Sequence, residues 1–135
     1  VLAVLDSDAL AALALPSERA RASRRAQAVL VAIERLGGRA CVPAPVIAEL
    51  AHSASRRAGI DRVLRGLPVV GTDRAIATRA GHLLGRNRLD SCHAVDAFVA
   101  ATALGAGPAV VLTGDPDDLG RLVGDDPGVL VQPLR

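Results

Sequence analysis

Lysine, tryptophan and tryptophan's relatives among large aromatics are scarce here: Lys, Tyr and Trp are absent, and Phe98 is the single aromatic residue. Without lysine there is no neutral amine for a Schiff base or an amine general base. All sixteen basic residues are arginine, whose guanidinium stays protonated and whose planar fork matches phosphate oxygens. Without aromatics the core must be packed from Val, Leu, Ile and Ala, in a chain half of whose 135 residues are hydrophobic. That length suits one domain, spanning 1–135, with a core large enough to need no disulfide. Cysteine is equally sparse. Cys41 and Cys92 stand far apart, in no metal-ligand spacing, and read as small buried residues of a protein in a reducing cytoplasm. Long apolar runs are missing as well. The first ends after five residues at Asp6, too soon for a secretory segment. The longest, "AFVAATALGAGPAVVL", is broken by Gly and Pro, which excludes a membrane-spanning helix.

Charge is present but unevenly placed. The net charge is +2, with arginines gathered in 19–39 and 56–88 and seven of the eleven Asp in 90–126. Basic flanks around an acidic centre suit a polyanion handled through metal ions, although any single arginine also serves as a solvated helix residue.

Short apolar runs alternate with longer Ala-rich segments. Strands are predicted at 1–5, 39–42, 67–70, 109–112 and 128–131. Helices are predicted from Ser17, as cap, to Leu36, from Pro45 to Ala58, from a Thr72 cap to Leu84, and from a Ser91 cap to Leu104. A further helix starts near Asp117 and Asp118. Such alternation predicts an α/β fold with a central parallel sheet of about five strands and helices on both faces. Ligands of such sheets bind beyond the carboxyl ends of the strands, at a topological switch point. Asp6 ends the first strand and Asp115 follows the fourth, so two strands deliver acids to one edge.

Two more acids stand in apolar surroundings. Glu49 follows Val46 and Ile47 in "VPAPVIAEL", and Asp96 shares "AVDAFVAATAL" with only one other polar side chain, Thr102. A charge on an apolar helical face is costly unless paired or bound to a cation. Solvent exposure of Glu49, or a favourable helix dipole at Asp96, are the plainer accounts. "TGDPDDL" adds Asp115, Asp117 and Asp118, more than capping alone requires. Clustered carboxylates repel, and a hard divalent cation such as Mg2+ or Mn2+ relieves them. His52, His82 and His93 stand singly and read as surface or helix residues rather than as ligands.

Taken together, the strand ending in Asp6, "APVIAEL" with Glu49, "VDAFVAATAL" with Asp96 and "LTGDPDDL" with Asp115 resemble the PIN domain, in order and over the whole chain. More narrowly, they resemble the VapC toxins of bacterial toxin–antitoxin pairs. The resemblance implies a Mg2+- or Mn2+-dependent endoribonuclease, a hydrolase that leaves 5′-phosphate and 3′-hydroxyl ends. The family's catalytic and metal-holding acids map onto Asp6, Glu49, Asp96 and Asp115, with Asp6 and Asp96 as principal ligands, Asp115 completing the shell, and Glu49 acting through water. Asp118, or else Asp117, falls near an accessory acid, and Thr113 matches a residue that orients the site. Asp8 and Gly114 depart from the pattern, standing where many members have Ser or Thr and Arg. The family further implies an RNA substrate, a VapB-type antitoxin, a homodimer and a cytoplasmic location. Lacking aromatic platforms, the chain must engage RNA through Arg–phosphate contacts and shape.

Two other functions fit parts of the pattern. Asp6 and Asp8 imitate the acid pair of a haloacid dehalogenase-like phosphatase, but that chemistry leaves Glu49 and Asp96 idle and wants a lysine. A catalytically silent PIN fold that binds RNA or antitoxin would keep the architecture without needing all four acids.

Overall fold

Leu2–Leu5 (β1) forms the middle strand of a five-stranded parallel sheet. The computed structural model describes all residues from Val1 to Arg135. The other strands are β2 (Arg39–Pro43), β3 (Val69–Val70), β4 (Ala109–Thr113) and β5 (Val129–Pro133), in the spatial order β3-β2-β1-β4-β5. Leu2 registers with Arg39 on one side and with Ala109 on the other, and every pairing is parallel. With strands on both edges and helices on both faces, Ala3, Val4 and Leu5 are fully buried. That is why the run carries no polar alternation.

Seven helices cover the sheet: α1 (Ser7–Ala14), α2 (Ala20–Arg35), α3 (Ala44–Ala51), α4 (Ala54–Leu64), α5 (Arg74–Arg86), α6 (Ala94–Ala106) and α7 (Pro116–Val123). α1 packs against α2, α3 and α4, and α6 against α5 and α7, so the helices form two groups, one on each face of the sheet. The chain leaves β1 toward β2 but crosses back to place β4 on the other side of β1. The switch point therefore falls between the carboxyl ends of β1 and β4.

All five predicted strands are found, with β3 shortened to two residues. The helices require corrections. α1 was not anticipated. Its sequence SDALAALA is apolar almost all round, because Ala9, Leu10, Ala11, Ala12 and Ala14 are all buried, so it shows no helical stripe. α4 lies so close that a Cβ on Gly59 would collide with the Ala14 carbonyl. From α4, Arg62 donates to that carbonyl at 3.2 Å and so satisfies the end of α1. Ser17 caps nothing. α2 begins at Ala20, after Arg19, whose side chain is drawn instead to Asp8. The helix predicted over 45–58 is two, parted after His52 where the backbone turns extended at Ser53. Asp73, not Thr72, caps α5, because its carboxylate accepts the Ile76 N–H at 2.8 Å. Asp90, not Ser91, caps the single 3₁₀ turn Ser91–His93 that leads into α6. Cys41 is buried as expected, whereas Cys92 on that turn is exposed.

Candidate metal centre at the switch point

Asp6 is both the end of β1 and the cap of α1. Its carboxylate accepts the Ala9 N–H at 2.8 Å and is almost wholly buried. Burial raises its pKa from 3.8 to about 7, with Asp8 and Asp96 adding to the rise while the Thr113 hydroxyl and the Ala9 N–H oppose it. Asp96, in the first turn of α6, is half-buried and raised to about 6. Burial is again the main cause, followed by the charges of Glu49, Asp118 and Asp115. Acids from α3 and the β4–α7 junction thus act on Asp96, which in turn acts on Asp6 at the end of β1.

Each neighbour is held by its own local device. Glu49 is exposed on α3, and Ser7 donates its hydroxyl to the Glu49 carboxylate at 2.7 Å. Asp115 caps α7 by accepting the Asp118 N–H at 3.3 Å. Its own N–H donates at 2.8 Å to the hydroxyl of Thr113, which is fully buried at the end of β4. Asp118 turns back toward Asp96, whereas Asp117 is exposed and acts on neither Asp6 nor Asp96.

Asp8 sits at the rim. It pairs with Arg19 at 3.4 Å, and its carboxylate occupies the space that a side chain at Gly114 would need. The two departures noted in the sequence are therefore in contact, one filling the room the other leaves. Arg135 closes this corner by donating to the Gly114 carbonyl at 2.6 Å.

Two participants escaped the sequence reading. Ser7 carried no signal beyond lying between two acids. His93 had been set aside as a helix or surface residue, yet its Nδ1 lies 3.7 Å from the Asp118 carboxylate. The spacing His93-x-x-Asp96, one helical turn, was the available clue. A surface cavity of about 710 Å3 lies apart from Asp6 and Asp96, between α5, α6 and α7, where Arg79, Arg86 and Arg121 line it together with Asp125 and Asp126. Arg121 reaches from there to within 3.9 Å of Asp118.

These residues fit a hard divalent cation. The donors are carboxylate oxygens with one imidazole beside them. The two most buried acids hold their protons well above the ordinary carboxylate range, a penalty that a bound cation removes.

A doubly wound parallel sheet with acids near its switch point defines a class of α/β domains with an acidic site at the carboxyl edge. Residues 3–123 match the PIN domain family, and the chain belongs to that family. No curated protein sequence matches it. Among solved structures, the chain is similar to VapBC2 from Rickettsia felis bound to a DNA fragment from its promoter. The two share 15% identity and a TM-score of 0.73, with 98% of each chain covered. It is also similar to a toxin–antitoxin complex from Klebsiella pneumoniae, at 22% identity and a TM-score of 0.64 over 95% of each chain. A third is VapBC-1 from nontypeable Haemophilus influenzae, at 17% identity and a TM-score of 0.64, covering 99% of this chain and 98% of that one.

Proposed function

We propose that the chain is a Mg2+- or Mn2+-dependent endoribonuclease and the toxin member of a VapBC-type pair. What supports this reading is the set of carboxylates around the half-buried Asp96: Asp118 lies beside it, Glu49 and Asp115 act on it, and it acts in turn on Asp6. Asp6, Asp96 and Asp115 would hold the cation, with Asp118 beside them. A cation there lowers the pKa of a bound water and neutralises charge on the phosphodiester oxygens. Glu49, exposed to substrate and anchored by Ser7, accepts the proton of the attacking water. Thr113 is a positioning residue that fixes the Asp115 backbone. Arg121 and the arginine-lined cavity beyond it give the RNA backbone a cationic path away from the cut. The products carry 5′-phosphate and 3′-hydroxyl ends.

An antitoxin, a homodimer and a cytoplasmic setting belong to the same proposal. The solved complexes of similar fold pair such a chain with an antitoxin. Val31 and Leu36, on and just after α2, leave apolar surface exposed for a partner. No helix is long and apolar enough to cross a membrane.

The test is to incubate the purified chain with structured and unstructured RNA in Mg2+, in Mn2+ and in EDTA, alongside a phosphomonoester. Cleavage of RNA in either metal, abolished by EDTA, with the monoester untouched, is the expected result. Monoester hydrolysis without RNA cleavage would replace the proposal with the phosphatase that Asp6 and Asp8 imitate.

A further inference from the structure

The imidazole of His93, the carboxylate of Asp96 and the carboxylate of Asp118 each offer a ligand atom, and these atoms all lie within 4.8 Å of one another. Ligands bound at about 2.1 Å to a common ion stand roughly 3 to 4 Å apart, so small side-chain rotations bring this trio onto one cation. The backbone already aims them. His93 closes the 3₁₀ turn and caps α6, Asp96 follows one helical turn later on the same face, and Asp118 comes from the first turn of α7 packed alongside. The His93 ring makes no hydrogen bond within the chain. The Asp118 carboxylate lies 3.7 Å from its Nδ1, too far for a hydrogen bond.

We propose that His93 is a nitrogen ligand of the metal centre and biases it toward Mn2+ over Mg2+. The inference rests on the metal-dependent reading above and deepens it. Mg2+ is hard and takes oxygen ligands and water, whereas Mn2+, though the weakest ion of the Irving–Williams series, accepts an imidazole nitrogen beside carboxylates more readily than Mg2+ does. His93 also faces Asp90 and Cys92 on its outer side. That group is less suited to hold an ion, because Asp90 is engaged by the Cys92 N–H at 3.0 Å and both residues are exposed.

The experiment measures Mn2+ and Mg2+ binding by calorimetry to the untagged chain, and to its His93→Ala and Cys92→Ala variants, each checked for an unchanged melting curve. Pulsed electron paramagnetic resonance of the Mn2+-loaded chain adds a direct probe of nitrogen coupling. The wild type should bind Mn2+ at least about tenfold more tightly than Mg2+ and show a 14N signal. His93→Ala should lose that signal and most of the preference, chiefly through weaker Mn2+ binding, and Cys92→Ala should change neither. Equal gains in Mn2+ and Mg2+ affinity in His93→Ala would make His93 a mere counter-cation and overturn the inference. Loss of the preference in Cys92→Ala would move the imidazole to the outer group and overturn it too. If the wild type binds neither ion, it is the metal-dependent reading itself that fails.

Discussion

Asp6 and Asp73 do the same local job in different places. Each accepts, at 2.8 Å, the N–H of the residue three positions on, and each starts a helix. Asp73 does so in the open, at the start of α5. Asp6 does so buried between β1 and β4, where burial, with smaller contributions from Asp8 and Asp96, lifts its pKa to about 7. A cap needs only an oxygen at the helix start, and water supports its charge at no cost. The buried copy must carry its charge without water, which destabilises the fold. Capping therefore explains Asp73 completely and Asp6 only in part. The unexplained part is the functional signal.

The largest effect separating the two regions is on cleavage. Asp96→Asn, at the centre of the buried group, should lower RNA cleavage by about a thousandfold, whereas Asp73→Asn should leave it within about twofold of wild type. Single-turnover rates on one RNA measure both. Comparable losses in the two variants would erase the distinction.

Stability against pH sharpens it next. In the folded chain Asp6 takes up its proton at about 7, against 3.8 when unperturbed. In EDTA the folded state thus binds the extra proton between those values. Stability present below about pH 4 is lost as pH rises through about 7. Asp6→Asn keeps a capping oxygen and removes the charge, so near pH 8 without metal it should gain on the order of 3 kcal/mol in urea unfolding while losing cleavage. Asp73→Asn should show no such gain.

Smaller effects follow from the supports. Ser7→Ala frees the Glu49 carboxylate and should slow cleavage about fivefold, the equivalent of one ordinary hydrogen bond, with little change in stability. Asp73→Ala should do the opposite, costing about 1 kcal/mol of stability through the lost cap and leaving cleavage intact.

The same contrast explains what was legible in the sequence. Strand ends are marked by abrupt changes from apolar to polar, so β1, β4 and the acids at Asp6 and Asp115 stood out. Glu49 and Asp96 stood out because their neighbours are apolar. α1 was hidden, since a helix buried on every side loses its periodicity. Caps were misplaced by one residue at Asp73 and Asp90, where adjacent Thr72 and Ser91 offer equally suitable oxygens and only the backbone turn decides. Ser7 and the contact of Asp8 with Gly114 depend on pairings between distant segments, which local pattern does not encode; for His93 only its one-turn spacing from Asp96 is local, and its approach to Asp118 is not.

The central claim is spatial, and paramagnetic broadening by Mn2+ tests it most directly. Substoichiometric Mn2+ added to the 15N-labelled chain should broaden the amides around Asp6, Asp96 and Asp115 first, and leave those near Arg79 and Gly124 sharp. Broadening spread evenly over the chain, or centred on the exposed Asp125 and Asp126, would contradict it.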